Sequence, residues 1–206
     1  NAVRSVQVYV GSSSHVVYTP PQPGTVLSKK IKNWFDVALS NNNVDPLIKM
    51  AMLHYQFEAI HPFTDGNGRT GRILNVIYMC KEKLIDLPVI YISKYILEYK
   101  YNYYKFLKEV TENGIWENWT LYMLEAVNQT AVITLKKVNA IYESYLAAIE
   151  IVKTKAPDIY SRELIEVIYS QPYCKIAILE EKKIASRNTA SKYLRKLEDL
   201  SLLKSE

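Results

Sequence analysis

Cysteine, histidine and glycine are scarce in this chain of 206 residues, with two, three and six copies respectively. Cys80 and Cys174 lie far apart and form no zinc-type or redox-type spacing, which fits a reducing, cytoplasmic setting. No window of about 18 apolar residues occurs, so a membrane span is excluded. No signal-peptide pattern opens the chain either; "NAVRSVQVYV" already reads as folded structure, so the natural protein is expected to begin further upstream. Charge of neither sign dominates. The net charge of +5 permits an anionic ligand or nucleic acid without requiring one. What is present is ordinary globular material: 49% hydrophobic and 23% charged residues, enough to bury a core, with 17 tyrosines among the aromatics.

β-structure is also sparse. Residues 5–10 alternate, with Val6, Val8 and Val10 on one side, and "HVVYTPP" reads as a second strand stopped by Pro20 and Pro21. Together they predict one hairpin. Helical patterns follow over 28–39 (Ser28 as cap), 46–60 (Asp45 as cap, Pro46 at the first helical position), and on from the end of a glycine-rich stretch to about Lys83. Further helices are expected at 93–112, 115–127 and 129–153. After a break at 154–160 come 161–169, Ile176–Glu181 and Ser186–Leu200, which read as a winged helix-turn-helix. The fold class is therefore mainly α, divided into domains at 1–153 and 157–206.

Half of the glycines fall in one stretch, "HPFTDGNGRTGR", residues 61–72. Gly66, Gly68 and Gly71 match a dinucleotide fingerprint, but that pattern requires a preceding strand, and helix precedes it here. Asp65 and Asn67 suggest a calcium loop, but Arg69 and Val76 stand where later ligands are needed. Both readings fail. A helix N-terminus after this loop exposes unpaired N–H groups, and glycine lets a ligand approach them, so Gly66, Asn67 and Gly68 suit phosphate. Arg69 and Arg72 can clamp phosphate oxygens, and Asp65 beside them calls for Mg²⁺ to bridge it to the phosphates. His61 titrates near neutrality and is the natural base. Each feature has a blander reading: a structural histidine, a common turn composition, a solvated arginine face. Their order within twelve residues favours chemistry. Phosphate, metal and base are implied; which phosphorus is attacked is left open.

The stretch resembles the Fic family signature H-P-F-x-[DE]-G-N-[GK]-R-x-x-R in full. The similarity extends through "QVYVG…YTPP", "DPLIKMAMLHYQFEAIHPF", "LPVIYISKYI" and "YNYYKFLKEV" to about residue 150. The resemblance implies a Fic helical core with a β-hairpin flap, transferring AMP from ATP to a hydroxyl of a target protein. By that likeness His61 would deprotonate a Tyr, Thr or Ser hydroxyl, and Asp65 would hold Mg²⁺. Gly66, Asn67 and Gly68, with Thr70 and Gly71 after them, would surround the phosphates. Arg69 and Arg72 would grip the distal phosphates, and Tyr103 would line the adenine pocket. The target would dock as an added strand on the flap at about 6–20. Removal of AMP, transfer of another phosphate-bearing group, and a DNA-binding regulator with a vestigial core are the alternatives.

One family element is missing. Many relatives carry an inhibitory [ST]-x-x-x-E-[GN] helix, yet no Ser or Thr here has Glu four residues later. The expectation is that this helix lies upstream and that the 206-residue chain is de-repressed. At the other end "KKIASRNTASKYLRK", residues 182–196, is basic with no acidic residue, which suits DNA as a partner. A homodimer is the other association considered.

Overall fold

The computed structural model describes residues 3–12 and 15–205. It comprises two compact units, residues 1–134 and 135–206. Strands β1 (Val10–Ser12) and β2 (His15–Tyr18) pair antiparallel, with Val10 opposite Tyr18 and an irregularity before Gly11 pairs with Val16. Helices follow as α1 (Thr25–Leu39), α2 (Pro46–Ile60), α3 (Asn67–Lys81), α4 (Ile92–Glu98), α5 (Lys100–Asn113), α6 (Trp116–Lys155), α7 (Arg162–Ser170), α8 (Ile176–Glu181) and α9 (Arg187–Asp199).

The hairpin is shorter than its alternation predicts. Residues 5–9 stay outside the ladder because side chains take over the backbone partners. Gln7 Nε2 donates to Val8 O and Pro20 O, both at 3.0 Å, and Arg4 donates to Val6 O at 3.1 Å and to Pro21 O. The tip of the expected hairpin, residues 13 and 14, lies outside the described residues.

Helix α2 is the axis of the first unit. Asp45 caps it, its carboxylate accepting from Leu47 N at 2.8 Å and Ile48 N at 3.2 Å, and Pro46 needs no N–H partner at that position. Met50, Leu53, Phe57 and Ile60 are buried, as their spacing predicts, but so are Lys49 and His54 on other faces. A helix enclosed on several sides must satisfy its polar residues internally. Lys49 Nζ donates to Ser40 O at 2.6 Å, and His54 Nε2 meets the Tyr103 hydroxyl at 3.1 Å. Two tryptophans also tie to α2: Trp34 donates to Leu53 O and Trp119 to Ala51 O, each at 2.8 Å.

Three helix boundaries differ from expectation. Helix α1 begins at Thr25 after Gly24, whose φ of 87° suits only glycine well, so Ser28 lies inside the helix and is not its cap. The single helix expected over 93–112 breaks at Tyr99, whose carbonyl accepts from the Tyr122 hydroxyl at 3.3 Å while its ring lies 4.5 Å from that of Tyr95. Conversely 115–127 and 129–153 fuse into α6, because no glycine or proline occurs from 116 to 155.

The second unit has its own core: Val152, Leu164, Ile165, Leu179, Ala190 and Leu197 are buried together. Ser161 caps α7 through Leu164 N at 3.1 Å. Helices α8 and α9 form a helix-turn-helix pair. The wing finds no strand among the described residues; after α9 the chain folds back, Leu202 N donating to Leu197 O at 3.0 Å.

Candidate active site

The sequence "IHPF" ends α2 by local chemistry. A residue before proline is disfavoured in the α region, so His61 leaves the helix. It takes a left-handed conformation (φ 50°, ψ 60°) while its N–H still reaches Phe57 O at 3.0 Å. That conformation is costly for a residue with a Cβ and needs support. Arg4 supplies it. This arginine is 3% exposed, donates from Nε to His61 O at 2.8 Å, and its own N–H reaches Pro62 O at 2.9 Å. The side chain of a residue 57 positions away thus pins the turn.

The imidazole is oriented by the helix it terminates. His61 Nδ1 lies 3.2 Å from Glu58 O, and a carbonyl only accepts, so Nδ1 carries the proton. Nε2 is left with a free lone pair. Burial lowers the pKa of His61 below its ordinary value; the bond to Glu58 O opposes that shift and the charge of Arg4 adds to it. The neutral, basic form is therefore favoured at pH 7.

The loop closes on itself through Asn67. Its side chain accepts from Phe63 N at 2.9 Å and donates to Phe63 O at 2.8 Å. Asn67 is 2% exposed, so its side chain shapes the loop. Phe63 packs 6.3 Å from Phe57, ring to ring. Gly66, at φ 84°, then starts α3 with no side-chain cap. Thr70 N is the first to find the helical partner, Gly66 O at 2.9 Å, which leaves the N–H groups of Asn67, Gly68 and Arg69 as donors without helical acceptors.

The two arginines part company. Arg69 pairs with Asp65 at 3.1 Å, both largely exposed. Arg72 is half-buried and donates from Nε to Ser93 Oγ at 2.9 Å. A Cβ on Gly68 would come within 3.1 Å of Arg72 Nη1, so this glycine lets the guanidinium lie against the first turn of α3. Gly71 faces the other way: a Cβ there would fall 2.8 Å from Glu58 Oε1 and 3.1 Å from the His54 ring. It is a packing glycine, and Thr70 beside it is half-buried.

Glu58 is the site residue that the sequence did not announce. Its Oε1 is buried without a hydrogen-bond partner, and burial raises its pKa to about 7 against the opposing charge of Arg72. Beside it opens a groove of about 690 Å³, walled by Val17 and Tyr18 of the hairpin, Glu58 and His61 of α2 and its cap, and Tyr101 and Tyr104 of α5. The Tyr18 hydroxyl donates to Ala59 O at 2.9 Å and fixes the hairpin to α2. Tyr103 is not on this wall. It is 4% exposed, packed against Trp119 and Tyr122 and bonded to His54. Among the described residues no cluster of three or more metal-ligating side chains occurs. Asp65 is one exposed carboxylate beside the uncapped helix, a donor set that fits Mg²⁺ held mainly by phosphate oxygens and water.

A mainly helical core, a hairpin flap, and a histidine-to-arginine loop between two helices define a recognisable class of fold. Residues 2–79 match the Fic/DOC family, and residues 145–206 match the C-terminal domain of SoFic-like protein adenylyltransferases. It is 36% identical over 115 residues to protein adenylyltransferase Fic of Drosophila grimshawi, covering 54% of this chain and 21% of that protein. To protein adenylyltransferase fic-1 of Caenorhabditis elegans it is 42% identical over 80 residues, covering 37% and 15% of the two chains. The crystal structure of a Fic family protein from Desulfovibrio desulfuricans superposes with a TM-score of 0.56 at 21% identity, over 96% of this chain and 55% of that one. That last likeness concerns the fold. The matched segment spans 21% and 15% of the lengths of these two curated relatives.

Proposed function

We propose that the protein is a nucleotidyltransferase that moves AMP from ATP to a Tyr, Thr or Ser hydroxyl of a target protein. The observation that carries this reading is the oriented, neutral His61 beside a groove and an uncapped helix that begins with Gly66. The names of the relatives support the same chemistry. His61 Nε2 takes the proton of the target hydroxyl, and the oxygen attacks the α-phosphorus. The bond from that phosphorus to the bridging oxygen of the β-phosphate breaks, and pyrophosphate leaves. The N–H groups of Asn67 and Gly68, with Gly66 in its left-handed turn, face charge that develops on the transferring phosphate. Arg72, held by Ser93, and Arg69 hold the distal phosphates. Thr70 and Gly71 stand behind them and Tyr103 supports the pocket from the core. Mg²⁺, held by Asp65 and the phosphates of the nucleotide, would neutralise charge on the departing pyrophosphate. The hairpin serves as the flap on which an extended target segment docks, its exposed Val16 and Val17 offering side-chain contacts.

Incubation with ATP labelled at the α- or the γ-phosphate tests the reaction, with His61→Ala as control. Label on protein from the α position alone supports the proposal. Label from the γ position alone indicates phosphorylation, and label from neither favours a non-enzymatic regulator.

A second, separable role is DNA binding by the C-terminal domain. Lys182, Lys183, Arg187, Lys192 and Arg195 are exposed on and before α9, with Asn188 among them, whereas Lys196 is tied to Asp158 at 2.5 Å. A gel shift that weakens steeply with salt supports this role; no affinity at low salt overturns it.

A further inference from the structure

All ten side chains of residues 135–144 in α6 are exposed, although several are large and apolar. Leu135 is 62% exposed, Val138 51%, Ile141 58%, Tyr142 60% and, one turn on, Leu146 44%. Leu135, Val138, Tyr142 and Leu146 follow a 3-4-4 spacing, so they form one stripe along the helix. A contiguous apolar stripe in water is a contact surface waiting for a partner.

We infer that this stripe is a self-association surface on which α6 of a second copy of the chain packs antiparallel, about a two-fold axis at Ala140. The pattern of the helix is what points to a second copy, because an isologous contact requires a surface that matches its own reverse. Reversed about Ala140, the exposed Val138 faces Tyr142, and Leu135 faces the half-buried Tyr145, whose ring also packs 5.5 Å from Tyr169. Ile141 meets Ile141 of the second copy on one flank. Asn139 meets Asn139 on the other, where the two amides donate and accept in turn and so fix the register. Further out on the same flank, Lys136 of one copy stands beside Glu143 of the other, twice. Neither residue has an ion-pair partner within the chain among the described residues. A parallel pair in the same register would instead set this flank against the opposite one, placing Lys136 beside Lys137 of the second copy and leaving Glu143 without a cation. Charge complementarity therefore selects the antiparallel arrangement.

Sedimentation equilibrium of the 206-residue chain at micromolar and higher concentrations tests the inference. The chain is expected to dimerise, and Leu135→Glu, an exposed position, is expected to weaken the dimer at least tenfold with helical circular dichroism unchanged. Lys136→Glu or Glu143→Lys alone should weaken it, and the two together should restore it. A monomer throughout overturns the proposal. A dimer indifferent to Leu135→Glu places the contact elsewhere and does the same. A dimer lost with Leu135→Glu but not rescued by the double charge reversal overturns the antiparallel register.

Discussion

His61 is held by backbone atoms and by Arg4, and among the described residues no acidic side chain bonds its ring. The Glu58 carbonyl selects the tautomer, and burial keeps the ring neutral. If His61 is the base, the rate rises as the ring loses its proton, and the lowered pKa sets that rise below the ordinary value of 6.5. The acid limb of kcat/KM should therefore have its midpoint below pH 6.5, and His61→Ala should cost about 10²–10⁴-fold. A midpoint well above 6.5 would assign the limb to another group. Glu58 gives a stability prediction at the same scale. Its pKa is about 7 in the folded protein against an ordinary value of 4.5, so its contribution is complete below 4.5 and is lost as pH rises through 7. Buried His54, lowered to about 3, acts in the opposite sense, losing stability as pH falls below 6.5. Comparison with Glu58→Gln isolates the carboxyl: between pH 4.5 and 7 the urea midpoint of the wild type should fall relative to that of the variant. Parallel curves would show that Glu58 is not held neutral. The motif residues were legible from their order in twelve positions, whereas Glu58, Ser93 and Arg4 were not. Arg4 and Ser93 act across 57 and 21 positions, distances that no local pattern encodes. Glu58 left one clue, since three residues before His61 on a helix places it on the neighbouring face.

At the scale of elements, strong local signals survived and weak ones were overridden by tertiary contacts. Asp45 and Pro46 mark the start of α2, because a cap is a local interaction. Asp45→Ala should cost about 1 kcal/mol in chemical denaturation. An unchanged midpoint would show that packing alone sets that end of α2. The alternation over 5–10 misled in length, because the bonds that Arg4 and Gln7 make to backbone carbonyls displaced the ladder. The break at Tyr99 was invisible for the same reason: it arises from Tyr122 on another helix and from no glycine or proline. Tyr103 belongs with these. Its place in "YNYYKFL" suggested the adenine wall, but the rotation of α5 turns Tyr101 and Tyr104 to the groove and Tyr103 to the core.

For the whole molecule, composition foretold a chain able to bury a core and periodicity foretold a mainly helical one, and two cores are present. The sequence placed the division at the break over 154–160, where proline and charge interrupt the pattern. The second compact unit begins earlier, at residue 135, within a helix whose unbroken run of helix-forming residues hides any boundary. The proposed chemistry lies in the first unit, where the hairpin, α2 with its cap His61, and α5 wall one groove. The most direct measurement is mass spectrometry of acceptor proteins after incubation with ATP, Mg²⁺ and either the wild type or His61→Ala. Tyr, Thr or Ser residues carrying a single adenylate are expected with the wild type and none with the variant. Phosphate-only adducts, or adenylate that forms equally with both proteins, would contradict it.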